Sequence, residues 1–558
     1  MERRTRITNE LVALQQQTPE QPYSIAHRLK LAKAYRSLGY PDLAVGDAYK
    51  ALLLVDEVAE EGEYHDEALE AANADYLSEG VAGLTINSAA DARSKEEDNV
   101  LTWAQKHLSR TAHDVLIEAL LACGCFRSAF DYIARATRAF PNDKTFGEYD
   151  NILTSKLRSY YEKEGENVDD VEVEDYPDKG LVRRENYPWN EYEPDRHSDE
   201  CLQFLNDEMA NIAPKLEVRV SELPLLSTNP STQESNHEVQ FVKQLGVFAK
   251  EDIAPGVEVL KERSLLTAVS RLHDTYCDAC STTLPDSPGA ESTILSCEEC
   301  DEVFFCSEKC HDLAQDSYHP SICGVSVNQG KVPAREAADS LYSILLVRAL
   351  ALAETQDLHP LELKELRYIW GDYHGKDLNT VWQANTEGEL VDPFGGVPQT
   401  LPFSFNNNVI KPLHILEKMD VNIFTQSYRY DTWVFNTIYA KLRGTASAQQ
   451  GPDGRPEIGA VHPMWCLANH SCDPNVAWEW QGTMKFWTRE KLVDWEGRDP
   501  NQGPGLKKGQ EVFGHYCDVR LPVKERREWA VGALGGDCMC ARCVWEEAEQ
   551  RRLNALAQ

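Results

Sequence analysis

Basic residues are scarce in this chain. Its 558 residues include 56 Lys and Arg against 91 Asp and Glu, so the formal net charge is −35. A protein that binds nucleic acid through the phosphates needs clustered Lys and Arg to neutralise them. The composition therefore argues against direct sequence-specific binding of nucleic acid, and it favours basic proteins as partners.

Long apolar runs are missing as well. No run reaches the roughly 18 apolar residues that a membrane span requires, and Met1 to Arg4 lead into a polar, helix-like segment instead of the apolar core of a signal peptide. We therefore expect a soluble intracellular protein with no membrane partner. A chain of this length is too long for one hydrophobic core and predicts several domains.

Disulfides are not expected either, although the chain has 16 cysteines. Closely spaced cysteines in a long chain without a signal peptide indicate metal binding. Four ligand pairs follow one another: Cys277 with Cys280, Cys297 with Cys300, Cys306 with Cys310, and His319 with Cys323. Eight ligands suffice for two tetrahedral zinc ions, and thiolates with one imidazole suit zinc. A disulfide arrangement would leave a cysteine unpaired, and His311 is predicted to be a bystander.

A third zinc site is predicted near the C-terminal end. Cys538, Cys540 and Cys543 are three closely spaced thiols that need a fourth ligand, and Cys472 is the best candidate. Four protein ligands leave no open position for water, so all three predicted zinc ions are structural. The third ion would tie the turn around Cys472 to the C-terminal segment and close a pocket between them.

The N-terminal region has small and apolar residues at helical spacing in two stretches, 29–54 and 116–141, with Gly39 and Gly124 at matching turns. This pattern resembles tetratricopeptide (TPR) repeats, and a generic amphipathic helix pair is the alternative. Residues 162–200 hold fifteen acidic and five basic residues, which predicts an acidic linker. Its aromatic residues Tyr187, Trp189 and Tyr192 indicate that part of it docks as a strap.

Three motifs in the C-terminal part resemble those of the SET-and-MYND family of protein lysine methyltransferases. They are the turn Asn469-His470-Ser471-Cys472-Asp473-Pro474-Asn475, the segment from Gly509-x-Glu511 to Tyr516, and the Cys538-x-Cys540-x2-Cys543 run. The four ligand pairs match the MYND pattern, with Phe305-Cys306-Ser307 at the third pair. The resemblance extends from about Leu216 to Cys543.

This resemblance implies a multi-domain α+β protein with a β-rich SET domain interrupted by a MYND finger and a helical insert. The implied domains are a TPR-like region at 1–158, an acidic linker or strap at 159–214, the first SET part at 215–276, the MYND finger at 277–323, the helical insert at 324–430, the core SET part at 431–521, and a post-SET zinc region with tail at 522–558.

The spacing of apolar, proline and glycine residues also predicts local structure within these domains. Residues 243–256 alternate and end in Pro255-Gly256, which predicts a strand and turn. Periodic apolar residues predict helices over 334–354 and 358–373. Residues 433–437 resemble a family strand that ends in a cofactor-contacting Asn, and residues 446–459 are predicted to form a mobile loop.

The family resemblance implies S-adenosyl-L-methionine as cofactor, next to three structural zinc ions. The residues implied to bind it are Gly246, Phe248, Asn436, Asn469, His470 and Tyr516, with Tyr516 as the catalytic residue. Two positions depart from the family pattern. Gln244 replaces the first Gly of a Gly-x-Gly motif, and Gly535-Gly536 stand where the family commonly has an aromatic wall.

The predicted function is therefore S-adenosylmethionine-dependent lysine N-methylation of a histone tail or another basic protein. We also predict peptide partners on the MYND and TPR-like surfaces, a monomer, and location in nucleus and cytoplasm. The alternative is a non-catalytic scaffold with a degenerate SET domain, for which Gln244 and Gly536 are the evidence. A zinc-finger reader of nucleic acid fits the cysteine pairs but not the charge.

Overall fold

The computed structural model describes residues 2–60, 62–78, 99–224, 241–269, 275–285, 294–325, 337–370, 399–450, 456–534 and 536–557. The chain forms two compact units. Unit 1 combines Met1–Trp189 with Val381–Thr437, and unit 2 combines Asn190–Thr380 with Ile438–Gln558. The described residues mix helices with small sheets, and none of their helices is long and apolar enough to cross a membrane.

The helices of the described residues are short to medium in length. In chain order they are α1 Glu2–Gln17, α2 Ile25–Leu38, α3 Pro41–Ala59, α4 His65–Ser78, α5 Ser109–Cys123, α6 Phe126–Ala139, α7 Lys144–Glu164, α8 Asp199–Ile212, α9 Glu308–Ser317, α10 His319–Ile322, α11 Ala337–Thr355, α12 Lys364–Arg367, α13 Lys411–Lys418, α14 Thr432–Leu442, α15 Val523–Leu534 and α16 Ala541–Ala557.

The strands form small sheets of two or three members. In chain order they are β1 Gly180–Arg183, β2 Leu216–Pro224, β3 Phe241–Ala249, β4 Glu258–Glu262, β5 Thr267–Val269, β6 Leu295–Ser296, β7 Phe304–Phe305, β8 Gln399–Phe403, β9 Ala446–Gln450, β10 Pro456–Val461, β11 Asn469–His470, β12 Val476–Trp480, β13 Met484–Thr488 and β14 Phe513–Gly514. The pairings are β1 with β8, β2 with β3, β6 with β7, β11 with β14, and the orders β5-β10-β9 and β12-β13-β4.

Two helical hairpins dominate unit 1. Gly39 ends α2 and Gly124 ends α5, with φ of 81° and 77°. A left-handed residue at a helix C-terminus favours glycine because it has no Cβ, and in both hairpins the next helix begins after it. Ala44, Ala48 and Ala51 on α3 are fully buried, since small side chains let neighbouring helices approach closely. The predicted helices are confirmed, and the repeat interpretation stays a prediction.

Buried ion pairs join the N-terminal helices of unit 1 to its later segment. Arg28 pairs with Asp47 at 3.2 Å, and both side chains are 1% exposed. The Lys50 ammonium is fully buried and lies 3.1 Å from the Asp431 carboxylate. Arg28 also donates to the Phe424 carbonyl at 3.0 Å. Buried charges are tolerated when they are paired and hydrogen-bonded, so these contacts fix which segments pack together.

The aromatic end of the acidic stretch is ordered. β1 pairs antiparallel with β8, from Gly180 opposite Phe403. Tyr187 stacks on Trp189 with ring centroids 5.3 Å apart, and Trp189 meets the Tyr40 ring edge-on at 5.4 Å. These aromatic residues therefore dock within unit 1 as a strap, as their composition indicated.

Unit 2 has an apolar core built from its sheets. β2 and β3 form an antiparallel pair from Leu216 opposite Ala249 to Pro224 opposite Phe241. Alternate residues of this pair, such as Val218 and Val247, are buried in the same core as β4, β10, β12 and β13. The strand predicted at 243–256 is confirmed, and its turn places Gly256 at φ 78°.

Three predictions of local structure were wrong. Residues 433–437 lie in helix α14, where the Thr437 hydroxyl donates to the Trp433 carbonyl one turn earlier. Most of 446–459 forms strands β9 and β10, because Ile458 and Ala460 on β10 are buried; residues 451–455 lie outside the described part.

The third error concerns residues 358–373. The described residues 358–370 form a single turn at Pro360–Glu362 and the short helix α12 instead of one continuous helix. The rest of that prediction lies outside the described residues. The helix predicted at 334–354 is confirmed by α11 over its described part.

Glycine-to-alanine substitutions test the packing of α3 in unit 1. A Cβ on Gly46 would lie 2.0 Å from the Thr432 hydroxyl oxygen, whereas a Cβ on Gly147 in α7 would meet nothing within 4 Å. Alanine favours a helix interior by about 1 kcal/mol over glycine, and overpacking costs roughly 1–3 kcal/mol. We expect Gly46→Ala to lower the free energy of unfolding by about 1–3 kcal/mol and Gly147→Ala to raise it.

Thermal and urea unfolding measure both effects. Thr432→Ala in the Gly46→Ala background removes the nearest atom and should restore part of the loss. Equal stabilisation by the two glycine substitutions would contradict the packing of α3 against the start of α14.

Candidate zinc sites and active-site cleft

Two groups of four ligands form from the four cysteine and histidine pairs. The first cluster is Cys277, Cys280, Cys306 and Cys310, and the second cluster is Cys297, Cys300, His319 and Cys323. The pairs thus alternate along the chain between the clusters. This interleaving cross-braces residues 277–323, so each cluster holds segments that are distant in sequence.

The distances within these clusters fit tetrahedral zinc. Zn–S bonds of about 2.3 Å place the sulfurs about 3.8 Å apart. The Sγ atoms of Cys280 and Cys306 are 3.7 Å apart, and those of Cys297 and Cys323 are 3.8 Å apart. His319 offers Nε2 at 3.7 Å from Cys300 Sγ. The predicted ligand set is therefore gathered, and His311 contacts Asp312 instead of a cluster.

A buried polar contact attaches the braced segment to α11. The Tyr318 hydroxyl donates to the Asp278 carboxylate at 2.7 Å, and Arg348 on α11 donates to the same carboxylate at 2.9 Å. The Arg348 guanidinium lies 3.6 Å from the Tyr318 ring centroid. A charged pair whose members are also hydrogen-bonded is stable in the interior, so the braced segment is held within unit 2.

The third cluster joins Cys472 with Cys538, Cys540 and Cys543, as predicted. Cys472 Sγ lies 3.4 Å from Cys543 Sγ and 3.9 Å from Cys538 Sγ. Two arginines support this cluster from the C-terminal helices. Arg526 donates to Cys543 Sγ at 3.5 Å, and Arg542 donates to the Cys472 carbonyl at 2.9 Å.

His470, Cys472 and Cys517 form an overlapping group. The Tyr516 backbone N–H donates to His470 Nδ1 at 3.0 Å, so the neutral ring carries its hydrogen on Nε2. That Nε2 lies 3.4 Å from Cys472 Sγ and donates to the sulfur. Burial lowers the pKa of His470 to about 4, which keeps the ring neutral. His470 therefore supports the third cluster as a hydrogen-bond donor.

A cavity of about 490 Å³ lies beside the third cluster in unit 2; we call it cavity 1. It is lined by three of the predicted site residues, by residues of strand β3 and by predicted zinc ligands. The lining includes Asn469, His470, Tyr516, Gln244, Leu245, Cys538 and Cys540. The tertiary structure thus brings together the turn, the tyrosine segment and the C-terminal cysteines that the sequence motifs singled out.

Asn469 and Glu511 form the polar support of this wall. The Asn469 amide donates to the Leu245 carbonyl at 3.0 Å and to the Glu511 carboxylate at 2.7 Å. The Ser221 hydroxyl donates to the other Glu511 oxygen at 2.9 Å. Burial raises the pKa of Glu511. With both amide N–H groups of Asn469 engaged, its carboxamide oxygen is the side-chain acceptor that can serve a ligand.

The position of the Glu511 carboxylate requires a residue without a side chain at position 246. A Cβ at Gly246 would lie 2.5 Å from a Glu511 carboxylate oxygen. Gly246 and Phe248 do not line cavity 1; the Phe248 ring is covered instead by the Arg219 guanidinium at 5.5 Å. The structure therefore gives Gly246 a packing reason, and its predicted approach to a cofactor stays a prediction.

Asn436 is placed differently from the prediction. It lies in α14, is fully buried, and its amide donates to the Asp42 carboxylate at 2.7 Å. Its carbonyl oxygen accepts from the Asn408 amide at 2.9 Å. This polar network within unit 1 engages both ends of the carboxamide, so the assignment of Asn436 to the cofactor is not supported.

Tyr516 lies at the boundary between cavity 1 and a second cavity. Its hydroxyl donates to the Ala468 carbonyl at 3.0 Å, and its ring lies 5.0 Å from the His470 ring. Cavity 2, of about 1220 Å³, shares Tyr516, Cys466 and Thr445 with cavity 1. Burial raises the pKa of the Tyr516 phenol above its ordinary value, so the hydroxyl stays protonated.

Sequence reasoning missed several lining residues. Arg196 and Trp370 line cavity 1, and Cys466 lines both cavities. Arg196 was assigned to the acidic linker, where only the nearby aromatic residues indicated docking. Asn475 was named only as the last residue of the turn motif. In the structure its side chain donates to the Glu511 carbonyl and accepts from the Phe513 N–H.

Metal analysis tests the three clusters. We expect the purified protein to contain three zinc ions and Cys540→Ser to contain two, because a site with three protein ligands binds zinc more weakly. Cys517→Ser is the matched control and should keep three, since His470 donates to the cluster. Loss of a zinc ion in Cys517→Ser but not in Cys540→Ser would assign the third site to the His470 group.

Comparisons with known proteins agree with this arrangement. No family model matches the chain. It is 22% identical to a SET and MYND domain-containing protein of Dictyostelium discoideum over 326 residues, which is 54% of this chain and 58% of that protein.

Two N-lysine methyltransferases named SMYD2 are similar over a shorter stretch. The chain is 28% identical over 94 residues to those of Gallus gallus and Homo sapiens, which is 17% of this chain and 19% of each relative. The chain thus spans little more than half of the Dictyostelium protein and a fifth of the other two. The chain is thus similar to SET and MYND domain-containing proteins, and it gathers three zinc-type ligand clusters as the motifs require.

Proposed function

We propose that this protein is an S-adenosylmethionine-dependent protein lysine N-methyltransferase. One observation carries the proposal: two cavities in unit 2 meet at the half-buried Tyr516. One cavity has the size of a small-molecule site, and the other is larger and has aromatic walls. A methyl donor in cavity 1 and a lysine entering from cavity 2 would meet at this hydroxyl.

The residues of cavity 1 fit S-adenosylmethionine. Its volume of about 490 Å³ lies within the range of roughly 300–1,000 Å³ found for ligand pockets. Trp370 Nε1 is buried without a hydrogen-bond partner among the described residues, so it can donate to a ligand. The Asn469 carboxamide oxygen can accept from the donor's ammonium group. When bound, S-adenosylmethionine supplies a methyl group activated by the sulfonium.

Tyr516 would orient the incoming amine. A lysine side chain has a pKa of about 10.4 in water and must lose its proton to attack, and a narrow desolvated channel favours the neutral amine. The protonated Tyr516 hydroxyl and the nearby carbonyls of Ala468 and Thr445 can position that amine by hydrogen bonds. Positioning reacting groups at about 3–3.5 Å converts the transfer into an effectively unimolecular step.

Cavity 2 has features that suit a protein substrate. Trp465, Trp478 and Trp529 line it, and aromatic rings pack well against the aliphatic stem of a lysine. Trp465 Nε1 is buried without a partner among the described residues and can donate to a peptide carbonyl. The net charge of −35 favours a basic substrate such as a histone tail.

The finer domain assignment is part of the same proposal. We infer that residues 215–276 and 431–521 form a SET domain, that the braced segment 277–323 is a MYND finger, and that the third cluster is its post-SET zinc site. The N-terminal helices of unit 1 serve as TPR-like repeats. MYND and TPR-like surfaces would bind peptide partners, and the protein would act as a monomer in nucleus and cytoplasm.

Replacing Tyr516 by Phe tests the catalytic role. We expect kcat to fall about a hundredfold, because a positioned hydroxyl that stabilises the transition state contributes roughly 3 kcal/mol. Affinity for S-adenosylhomocysteine, measured by calorimetry, should stay nearly unchanged. The assay uses labelled donor with core histones, and Tyr428→Phe at an exposed site is the control. Full activity of Tyr516→Phe would refute the catalytic assignment.

Replacing Asn469 by Ala should act on binding instead. The lost acceptor, together with the loosened contact to Leu245 and Glu511, should raise the Kd for S-adenosylhomocysteine about tenfold, since a hydrogen bond to a charged group contributes roughly 1.5 kcal/mol. The remaining activity at saturating donor should be close to that of the wild type. If the wild-type chain binds no S-adenosylhomocysteine at all, the non-catalytic scaffold replaces this proposal.

A further inference from the structure

Arg489 is the first residue after strand β13, and it lines cavity 2. Its backbone N–H donates to the Asn475 carbonyl at 3.0 Å, and its Nε donates to the Val476 carbonyl at 3.2 Å. These two bonds attach the side chain to the beginning of strand β12. The terminal nitrogens Nη1 and Nη2 make no hydrogen bond to a residue that the structure describes. They carry four of the five N–H groups of the guanidinium, which therefore remain for a ligand.

The other arginines in the lining of cavity 2 are paired with carboxylates of the protein. Arg520 lies 2.8 Å from Asp518, and Arg542 lies 2.6 Å from Glu546. Arg489 forms no ion pair within the described part of the chain. Its positive charge is therefore the one that a bound ligand can neutralise without breaking a contact of the protein.

Two carboxylates could neutralise Arg489, and neither does. The charge of Asp473 acts on Arg489, but Asp473 is itself paired with Arg498. Asp494 lines cavity 2, yet it is exposed and forms no ion pair with a described residue. Burial lowers the pKa of Arg489, as desolvation does to a cation whose charge is incompletely compensated. An anion that entered cavity 2 would supply the missing compensation.

His515 connects Arg489 with the end of the cavity at which methyl transfer is proposed. The His515 ring stacks on the Trp478 ring with centroids 5.5 Å apart, and its carbonyl accepts from Trp478 Nε1 at 3.1 Å. Burial and the nearby charge of Arg489 lower the pKa of His515, so the imidazole is neutral at pH 7 and adds no second cation. Because His515 directly precedes Tyr516, Arg489 lies on the side of cavity 2 that is next to the tyrosine.

A carboxylate is the ligand group that fits this wall. Two parallel N–H groups of a guanidinium bind its two oxygens in bidentate geometry. One unpaired cation balances one negative charge, whereas a phosphate dianion would keep an uncompensated charge in the cavity. Cavity 2 has a volume of about 1220 Å³, and a cube of that volume has an edge of about 11 Å. An extended peptide rises about 3.3 Å per residue, so residues up to three from the target lysine would lie in this cavity.

We infer that Arg489 is a specificity-determining residue, which binds the side-chain carboxylate of an aspartate or glutamate within three residues of the target lysine. This inference rests on the proposed function, because it names the local sequence in which the lysine is methylated. It is compatible with a substrate that is basic as a whole. The net charge of −35 attracts such a protein over a distance, whereas Arg489 contacts one side chain of it and so selects among its lysines.

A scan with synthetic peptides tests this preference. Each peptide has one lysine in a neutral background and one glutamate at a position one to three residues before or after it, and a matched peptide has glutamine there. The full chain and labelled S-adenosylmethionine give kcat/KM for each pair. At one of these positions we expect glutamate to be preferred about tenfold, which is the effect of a hydrogen bond to a charged group.

Variants of Arg489 should change this ratio in a graded way. Arg489→Gln should bring it to about one by slowing the glutamate peptide alone, and Arg489→Glu should invert it. Arg489→Lys should keep part of it, because lysine has no bidentate geometry. Arg263→Glu is the matched control, since Arg263 follows strand β4, donates its Nε to the Thr483 hydroxyl at 3.3 Å and lines neither cavity. It makes the same change of charge and should leave the ratio as in wild type.

Four results would overturn the inference. Equal slowing of both peptides by Arg489→Gln would mean that Arg489 only anchors strand β12. A chain that methylates core histones but prefers glutamate at none of the positions would keep the proposed function and lose the inference. A peptide with phosphoserine at the preferred position, if more than tenfold better than glutamate, would show that the wall binds phosphate. If neither core histones nor any peptide is methylated, the proposed function fails together with the inference. Thermal unfolding shows that each variant is folded.

Discussion

Neutralisation of thiolate charge is the constraint on which unit 2 depends. Cys472 and the run Cys538 to Cys543 come from segments far apart in sequence, and their sulfurs converge within 4.8 Å of one another. Four thiolates at that distance repel unless a dication holds them. The arginines of the C-terminal helices add to the neutralisation, since Arg526 reaches Cys543. His470 donates to the Cys472 sulfur and accepts from the Tyr516 backbone N–H, so hydrogen bonds join the third cluster to the tyrosine.

Burial then decides the chemistry of that assembly. It lowers the pKa of His470 to about 4 and raises that of the Tyr516 phenol, because desolvation disfavours charged forms. A neutral imidazole and a protonated phenol can orient other groups by hydrogen bonds without exchanging protons with them. The partly buried Glu511 carboxyl accepts from Asn469 and Ser221, and desolvation raises its pKa. Its contacts link β2, β3 and β11 at the wall of cavity 1.

Ion pairs decide the organisation of unit 1. Arg28, Asp47, Lys50 and Asp431 are paired in the interior, and each would be costly to bury alone. These contacts join N-terminal helices to Phe424 and Asp431, which the sequence analysis had assigned to the helical insert and to the core SET part. Residues 190–198 follow the same rule in unit 2, where Glu193 meets Lys441 and Arg196 meets Gln244. Charged residues in segments with low intrinsic propensity for secondary structure are thus ordered when they pair with an opposite charge.

The sequence by itself determined the ligands of the zinc-type clusters and the helical N-terminus. Local spacing carries that information, since metal ligation and helix periodicity need residues of fixed type at fixed intervals. Asn469, His470 and Tyr516 were singled out by the family resemblance instead, and all three line cavity 1. Spacing did not decide that Asn436 lies in a helix bound to Asp42, that 446–459 pairs as strands, or that Arg196 enters the cavity lining. Only the tertiary structure decided these, because each depends on partners more than a hundred residues away or on burial that a single segment does not encode.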